Sequence, residues 1–196
     1  MSPAPVNTVS LNETAIPVNL AARAEAAGLA VLAASAWPES AADVTAPPVA
    51  GFVSSSFSPI AAEVARRCLE RRVESRPAAD VTTGVIVASR LGDLAVARHV
   101  AQAVDTGARI GPLMFFQCVP NAVAGHVAAR WRLTGPVACL GDEQAALDVA
   151  GLLIEDADAD EVLLICVEQA VTAEEHDRAG AVLLGTGAPM DERGRV

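Results

Sequence analysis

The sequence contains few aromatic residues, no long apolar run and no cysteine spacing typical of a metal site. Aromatic residues make up 3% of the chain, whereas apolar residues as a whole make up 52%, so small aliphatic side chains supply most of the core. That composition suits closely packed layers of helix and sheet better than a β-sandwich. At 196 residues the chain is long enough for one domain with a substantial core, and too short for two.

Signals for membrane insertion and secretion are also missing. No stretch reaches the roughly 20 consecutive apolar residues of a transmembrane helix, and the N-terminus lacks the basic segment and apolar run of a secretory signal. The cysteines Cys68, Cys118, Cys139 and Cys166 show no CxxC spacing, and three of them lie within apolar runs. We therefore expect a reduced, cytoplasmic protein with no metal, no cofactor and no membrane partner.

The charge of the chain argues against a nucleic-acid partner. The formal net charge is −10, whereas phosphate binding requires clustered basic residues. Five arginines do fall close together, and their spacing is typical of the solvated face of a helix, which we favour over a binding patch. They are Arg66, Arg67, Arg71, Arg72 and Arg76.

Short apolar runs alternate with amphipathic segments after a loosely patterned start. We predict a loosely ordered segment over 1–26, one domain over 27–187 and a tail over 188–196. The pattern predicts strands at 28–35, 83–89, 137–140, 161–167 and 181–184, and helices at 58–76, 93–104, 120–131 and 143–154. Ser58 and Pro59 supply a cap and a first turn for the first of these helices. The alternation predicts a layered α/β fold.

Four of these segments together resemble the N-terminal half of the β-ketoacyl synthases, in the thiolase-like superfamily. The segments are 85–93, 115–126, 133–136 and 158–168, and the whole match spans roughly 50–187. The resemblance implies half of a thiolase-like fold, with a mixed, mainly parallel sheet flanked by helices. Full synthases carry two catalytic histidines in a second half, and His99, His126 and His176 correspond to neither. We expect His126 to be structural.

The catalytic cysteine of the active synthases lies in a short turn after a Gly-Pro segment, at the N-terminus of a helix. Here Cys139 follows Gly135-Pro136, but the segment from Pro136 to Ile154 is several residues shorter than the synthase pattern, and a nucleophilic Cys139 would put Gly141 out of register with the helix that follows. A better alignment places residues 141–144 at the turn, with Asp142 or Glu143 beginning the helix.

The residues of this turn resemble those of two silent or shortened classes of protein. Chain-length factors, the silent partners in type II polyketide synthases, carry Gln where the synthase has Cys, as Gln144 does in this alignment. Short stand-alone ketoacyl-synthase-like proteins of aryl-polyene pathways share the acidic turn. Cys139, Glu143 and Gln144 therefore remain candidates without an assigned catalytic role, and an unreactive Cys139 is favoured over a nucleophilic one.

Two further residues are candidates for binding the acyl chain. Asn121 follows Pro120 and either caps a helix, which we favour, or orients an acyl or pantetheine group. Phe116, in the same synthase-like segment, is the second candidate. The acidic pair Glu174-Glu175 beside His176 is interpreted as a solvated loop in preference to a metal site.

The expected function is therefore a non-catalytic ketosynthase-like partner in fatty-acid or polyketide (polyene) assembly. Such a protein would pair with itself or with a full synthase, and it would contact an acyl carrier protein. The alternative is a small acyltransferase or thioester hydrolase that uses Cys139 as nucleophile or Glu143 as general base. A weaker third hypothesis is a small-molecule binding module, although neither a GxGxxG motif nor a P-loop supports nucleotide binding.

Overall fold

A five-stranded mixed sheet forms the centre of the computed structural model, which describes residues 16–75, 81–117, 119–172 and 174–186. Helices and strands largely alternate along the chain, and each strand is shorter than ten residues. The elements in chain order are α1 (Ile16–Ala26), β1 (Leu29–Trp37), α2 (Phe57–Ser75), β2 (Thr83–Ala88), α3 (Leu94–Thr106), α4 (Pro112–Gln117), α5 (Pro120–Trp131), β3 (Val137–Leu140), α6 (Glu143–Glu155), β4 (Glu161–Glu168) and β5 (Arg178–Thr186).

The strands lie in the order β1-β5-β4-β2-β3. β4 and β3 both pair with β2 in parallel, whereas β5 pairs antiparallel with β4 and with β1. Four strands therefore point the same way and only β5 is reversed. β2 is buried along its whole length and β4 along all but its last residue, as expected for strands covered on both faces. The predicted layered α/β fold with a mixed, mainly parallel sheet is confirmed.

The two faces of the sheet carry separate apolar clusters because successive side chains of a strand point to opposite sides. On one face, α2 and α5 pack through residues such as Ile60, Val64 and Val123. On the other face, α1 and α6 pack through Leu20 and Leu147. The sheet is thus sandwiched between two helical layers, and the α2–α5 face and the α1–α6 face are named by their helices below.

Residues 16–26, within the segment predicted to be loosely ordered, form helix α1. Leu20 and Ala24, one turn apart, are completely buried in the α1–α6 face. The alanine-rich sequence gave a weak helical pattern, and it is the contact with the sheet that holds this helix in place. Residues 1–15 and the predicted tail over 188–196 lie outside the described residues.

The predicted cap of α2 was wrong. The helix begins at Phe57, so Ser58 lies inside it and is buried, and the backbone N of Phe57 donates a hydrogen bond to Ser55 Oγ at 3.1 Å. Both ends of α3 follow the sequence: Asp93 Oδ1 accepts from the N of Val96 at 3.0 Å, and α3 ends at Gly107, whose φ is +67°.

The described arginines of α2 are paired with carboxylates instead of facing water alone. Arg67 donates to both carboxylate oxygens of Asp43, at 2.7 and 2.9 Å, and Arg71 donates to both oxygens of Glu39, at 2.7 and 2.8 Å. The Arg67 guanidinium also lies 5.0 Å from the ring centre of Trp37. These contacts fasten the loop after β1 to α2.

Two further arginines complete this correction. Arg66 pairs with Glu63 and Glu70 along α2, and Arg72 pairs with Glu161 at the start of β4. The side chain of Arg72 is only 11% exposed, so the predicted solvated face is wrong for it. Arg76 lies outside the described residues.

Candidate functional site

The candidate site lies where the parallel strands β2, β3 and β4 end, which we call the carboxyl edge. In open α/β sheets this is the edge at which ligands bind. Polar residues follow each strand there: Ser89 after β2, Asp142 after β3 and Gln169 after β4. Glu168, the last residue of β4, accepts a hydrogen bond from the backbone N of Arg90 at 3.0 Å, which joins the ends of β4 and β2.

Helix α6 begins at the carboxyl edge, at the residues that the sequence alignment placed there. Asp142 is the N-cap, with extended backbone angles, and its Oδ1 accepts from the N of Ala145 at 2.8 Å. Glu143 is the first residue of the helix and Gln144 the second. The start of this helix is therefore acidic and capped by its own carboxylate.

Arg23 of α1 contacts the first two residues of α6. Its Nη1 lies 2.5 Å from Glu143 Oε2, and its Nη2 donates to Gln144 Oε1 at 3.0 Å. The amide nitrogen of Gln144 donates in turn to Asp148 Oδ1 at 2.8 Å. Both polar atoms of the Gln144 side chain are thus engaged within the protein.

The carboxylate of Glu143 is partly buried and lies near other acidic side chains. Burial raises the pKa of Glu143 above its ordinary value, the positive charge of Arg23 acts against that rise, and the neighbouring Glu168 and Asp142 add to it. A carboxylate whose pKa is raised can accept a proton near neutral pH more readily than an exposed one. This feature of the carboxyl edge suits acid–base chemistry.

Cys139 points away from α6. Its side chain packs into the α2–α5 face, whereas its neighbours Ala138 and Leu140 pack into the α1–α6 face beside α6. Burial raises the pKa of the Cys139 thiol to about 11, and a hydrogen bond with the Val87 backbone opposes that rise. Cys139 therefore lies within a strand, on the other side of the sheet from the α6 N-terminus, and is protonated at neutral pH.

The other described thiols are also buried and protonated. Burial raises the pKa of Cys68, under α2, to about 12 and raises that of Cys166, in β4, still further. Arg71 acts against this rise of the pKa at Cys68 and Arg23 acts against it at Cys166, but burial has the larger effect at both thiols. Cys118 lies outside the described residues.

A buried polar network beside the carboxyl edge was not anticipated from the sequence. The Gln169 amide nitrogen donates to Ser55 Oγ at 3.2 Å and to Ser56 Oγ at 2.9 Å, and Ser55 Oγ donates to Asp93 Oδ1 at 2.7 Å. Gln169 and Asp93 are both buried. The network joins the end of β4 to the starts of α2 and α3, and no local pattern of the sequence indicates which of these distant residues meet.

The preferred interpretation of Asn121 as a helix cap is wrong. Val119 is the N-cap of α5, Pro120 is its first residue, and Asn121 follows as an exposed second residue. Pro120 sets the helical φ at the first position, so the helix starts one residue earlier than a cap at Asn121 requires. Phe116 lies in α4, and its side chain is outside the described part of the structure. A binding role for either residue stays a prediction.

The described histidines are distributed over separate surfaces. The ring of His126 meets Phe52 edge to face, with ring centres 5.8 Å apart, and borders a cavity of about 490 Å³ between α2 and α5. His99 on α3 and His176 after β4 are exposed.

Glu175 accepts hydrogen bonds from the backbone N–H groups of Val171 and Thr172, so it closes a turn. In the part of the chain that the structure describes, no three His, Cys, Asp or Glu side chains are grouped to hold a metal ion.

Solved structures with the same fold are ketosynthase proteins. This chain superposes with a TM-score of 0.55 and 19% identity on a chain of a ketosynthase in complex with its chain length factor from Xenorhabdus doucetiae, covering 69% of this chain and 59% of that one. The ishigamide ketosynthase/chain length factor gives a TM-score of 0.57 at 19% identity, covering 73% and 47%. A β-ketoacyl synthase from Burkholderia phymatum gives 0.53 at 15% identity, covering 89% and 56%.

The described chain has a ketosynthase-like fold. The predicted resemblance to half of a thiolase-like fold is thereby confirmed at the level of the fold, since identities this low carry no more than that. The chain spans roughly half to three fifths of the length of these solved structures. No protein-family model and no curated protein sequence matches the chain. Among the described residues, none of the helices combines the length and the apolar character needed to cross a bilayer.

Proposed function

We propose that the protein is a non-catalytic, ketosynthase-like partner in the assembly of fatty-acid or polyketide chains. The observation that carries the proposal is the start of α6, where a ketosynthase-like fold would require a free thiolate. Here Glu143 and Gln144 occupy that start, and both are bonded to Arg23. An amide and a paired carboxylate cannot form the thioester on which condensation depends.

The cysteine that is nearest in sequence to the start of α6 does not replace the missing nucleophile. Cys139 is half-buried on the far face of the sheet, and its pKa of about 11 leaves almost no thiolate at neutral pH. A helix N-terminus stabilises a thiolate only when the sulfur lies against its free N–H groups. Cys139 does not meet that condition.

The open edge of the sheet supports a role as a partner. β3 pairs only with β2 among the described strands, so its other side offers unpaired backbone groups. The carbonyls of Pro136 and Leu140 accept hydrogen bonds from Val85 and Ser89 of the β2 region. Because backbone groups alternate in direction along a strand, those of Val137 and Cys139 are directed outward. The Val137 side chain is 43% exposed at this edge.

Solved structures that share the fold support a ketosynthase as the partner. The ketosynthase from Xenorhabdus doucetiae is in complex with its chain length factor, and a further similar structure is a type II polyketide acyl carrier protein in complex with its ketosynthase. By analogy, we propose that this chain pairs with a full ketosynthase or with a second copy of itself, and that the pair contacts an acyl carrier protein.

The decisive experiment measures assembly. The chain is co-expressed with the full-length ketosynthase encoded nearest to its own gene, and the mass of the purified species is measured by light scattering, with and without the acyl carrier protein. A dimer of either kind supports the proposal. Replacement of Val137 by proline removes one outward N–H and should weaken the dimer at least tenfold, whereas Val137→Ala retains the N–H and should not. A wild-type monomer that binds neither the synthase nor the carrier would refute the proposal.

The raised pKa of Glu143 supports a second candidate, a small acyltransferase or thioester hydrolase. In this alternative Glu143 would act as general base on an acyl thioester, or Cys139 would act as nucleophile. The chain is incubated with an acyl-carrier-protein thioester, and intact mass and thiol release are followed. Turnover that is lost in Glu143→Gln, or an acyl adduct on Cys139, would establish this activity. Neither signal is expected if the partner role is correct.

A further inference from the structure

A cavity of about 990 Å³ lies between the loop after β1 and the turn after β4, at the start of α2, and we call it the loop cavity. Its volume is near the upper end of the range of about 300–1,000 Å³ that small-molecule sites occupy. The buried side chains of Trp37, Phe52 and Ile60 line it, and all three belong to the α2–α5 face. The loop cavity is therefore separate from α6, which packs on the other face of the sheet.

The wall of the loop cavity that follows β1 is fixed to α2. Asp43 lines the cavity, and both of its carboxylate oxygens accept hydrogen bonds from Arg67. Asp43 Oδ2 also accepts from the backbone N of Glu39 at 2.7 Å, and Glu39 is in turn paired with Arg71. These bonds hold the loop in place without a ligand.

The opposite wall, after β4, is fixed by Asp177. Its Oδ1 accepts from the backbone N of Ala170 at 2.8 Å, and its Oδ2 accepts from the hydroxyl of Ser56 at the start of α2. All three of these residues line the loop cavity. A cavity whose walls are already in place costs a ligand less conformational entropy than one that must be ordered on binding.

Exposed apolar side chains are concentrated at the loop cavity. Among the large apolar side chains that the structure describes, Val44 and Val53 are the most exposed, at 84% and 79%. Both of them line the cavity. Removing such surface from water is favourable, so these two side chains favour a ligand with an apolar body.

The polar lining of the loop cavity is acidic. Asp177 and Glu175 line it, and their hydrogen bonds come from backbone N–H groups and a serine hydroxyl, so no arginine neutralises either carboxylate by direct contact. None of the described residues that line the cavity is an arginine. Arg178 and Arg90 act on Glu175 through space, but neither lines the cavity. The lining therefore attracts a cation and repels an anion.

We propose that the loop cavity binds an organic amine, with the ammonium group against Asp177 and Glu175 and the apolar body against Val44 and Val53. The proposal is independent of the partner role, because none of these residues belongs to β3 or to the start of α6. Either of the two can therefore fail while the other stands.

The test is calorimetric titration of the full chain with three probes that share one apolar body. They are phenylbutylamine, phenylbutanol and phenylbutyrate, which are cationic, neutral and anionic. The amine should bind at least about threefold more tightly than the alcohol and at least about tenfold more tightly than the carboxylate. Added salt should reduce the preference for the amine, because it screens the attraction between exposed charges.

The acidic wall is tested by removing its charges. Asp177→Asn and Glu175→Gln each retain an oxygen that can accept the hydrogen bonds of the wall, so the cavity should keep its shape. The double variant should bind phenylbutylamine and phenylbutanol with about equal affinity. Glu174→Gln is the matched control, because Glu174 is exposed beside Glu175 but does not line the cavity, and it should leave the preference for the amine unchanged.

The apolar wall is tested at Val53. Val53→Ser should weaken the binding of the amine and of the alcohol by about twofold to fivefold. Val104→Ser is the control, because Val104 is an exposed valine of α3 that does not line the cavity, and it should change neither affinity. The proposal is wrong if the amine does not bind saturably, or if the alcohol or the carboxylate binds as tightly as the amine. It is also wrong if Val53→Ser or the double variant leaves amine binding unchanged.

Discussion

The guanidinium of Arg23 and the carboxylate of Glu143 lie 2.5 Å apart, although 120 residues separate them in the chain. The pair connects the first helix of the described structure to the helix at the carboxyl edge. The geometry of the candidate site is therefore set by one contact between two helices on the same face of the sheet. Of the four predictions below, the first two test this contact and the helix start beside it, and the other two test the loop after β1 and the Cys139 thiol.

A double-mutant cycle measures the strength of the Arg23–Glu143 pair. The two side chains are 33% and 29% exposed, so water screens their attraction, and we expect a coupling free energy of about 0.2–1 kcal/mol. The free energies of urea unfolding of Arg23→Ala, Glu143→Ala and the double variant give this value. A coupling above about 2 kcal/mol would mean that the pair acts as a buried one.

The cap of α6 can be tested at Asp142. Asp142→Ala removes the acceptor for the N–H of Ala145 and should cost about 0.5–2 kcal/mol in the free energy of unfolding. Asp142→Asn retains an oxygen acceptor, so its free energy of unfolding should fall clearly less than that of Asp142→Ala. Equal stability of the alanine and asparagine variants would show that the side-chain acceptor does not stabilise the start of the helix.

Acid should release the loop after β1 from α2. Hydrogen bonds from Arg71 lower the pKa of Glu39, and hydrogen bonds from Arg67 lower the pKa of Asp43. A lowered folded-state pKa gives stability that is present above the ordinary values of 4.5 and 3.8 and is lost as the pH falls below them. We therefore expect the loop to loosen progressively below about pH 4.5.

The fluorescence of Trp37 follows this release, because Arg67 lies over its ring. The measurement uses a Trp131→Phe background, since the chain contains two tryptophans. Asp43→Asn removes the Asp43 carboxylate at every pH, so the change in Trp37 fluorescence on acidification should be smaller in this variant. A Trp37 signal that is flat from pH 7 to the onset of global unfolding would contradict the prediction.

Alkylation of Cys139 should be slow in the folded protein. Its pKa of about 11, compared with an ordinary 9.0, lowers the thiolate fraction at pH 8 by about 100-fold. Iodoacetamide labelling, assigned to Cys139 by peptide mass, should accelerate when the same protein is unfolded in urea. Equal rates of labelling in the folded and unfolded protein would contradict this prediction and would support Cys139 as a nucleophile.

The sequence by itself determined the layered fold and the ends of most elements. Unbroken apolar runs predicted β2 and β4, and local chemistry predicted both ends of α3 and the start of α6. These features depend on residues a few positions apart, so periodicity, caps and glycines are enough to specify them. The resemblance to a ketosynthase half also followed from the order of four local segments.

Only the tertiary structure decided which distant residues meet. Helix α1 was missed because its short, alanine-rich sequence is stabilised by the sheet against which it packs, and Arg23 had no local pattern that pointed to Glu143. The face on which Cys139 lies likewise depends on the register of β3 against β2. Contacts across the chain depend on how the helices lie on the sheet, and a sequence pattern of a few residues carries no information on that.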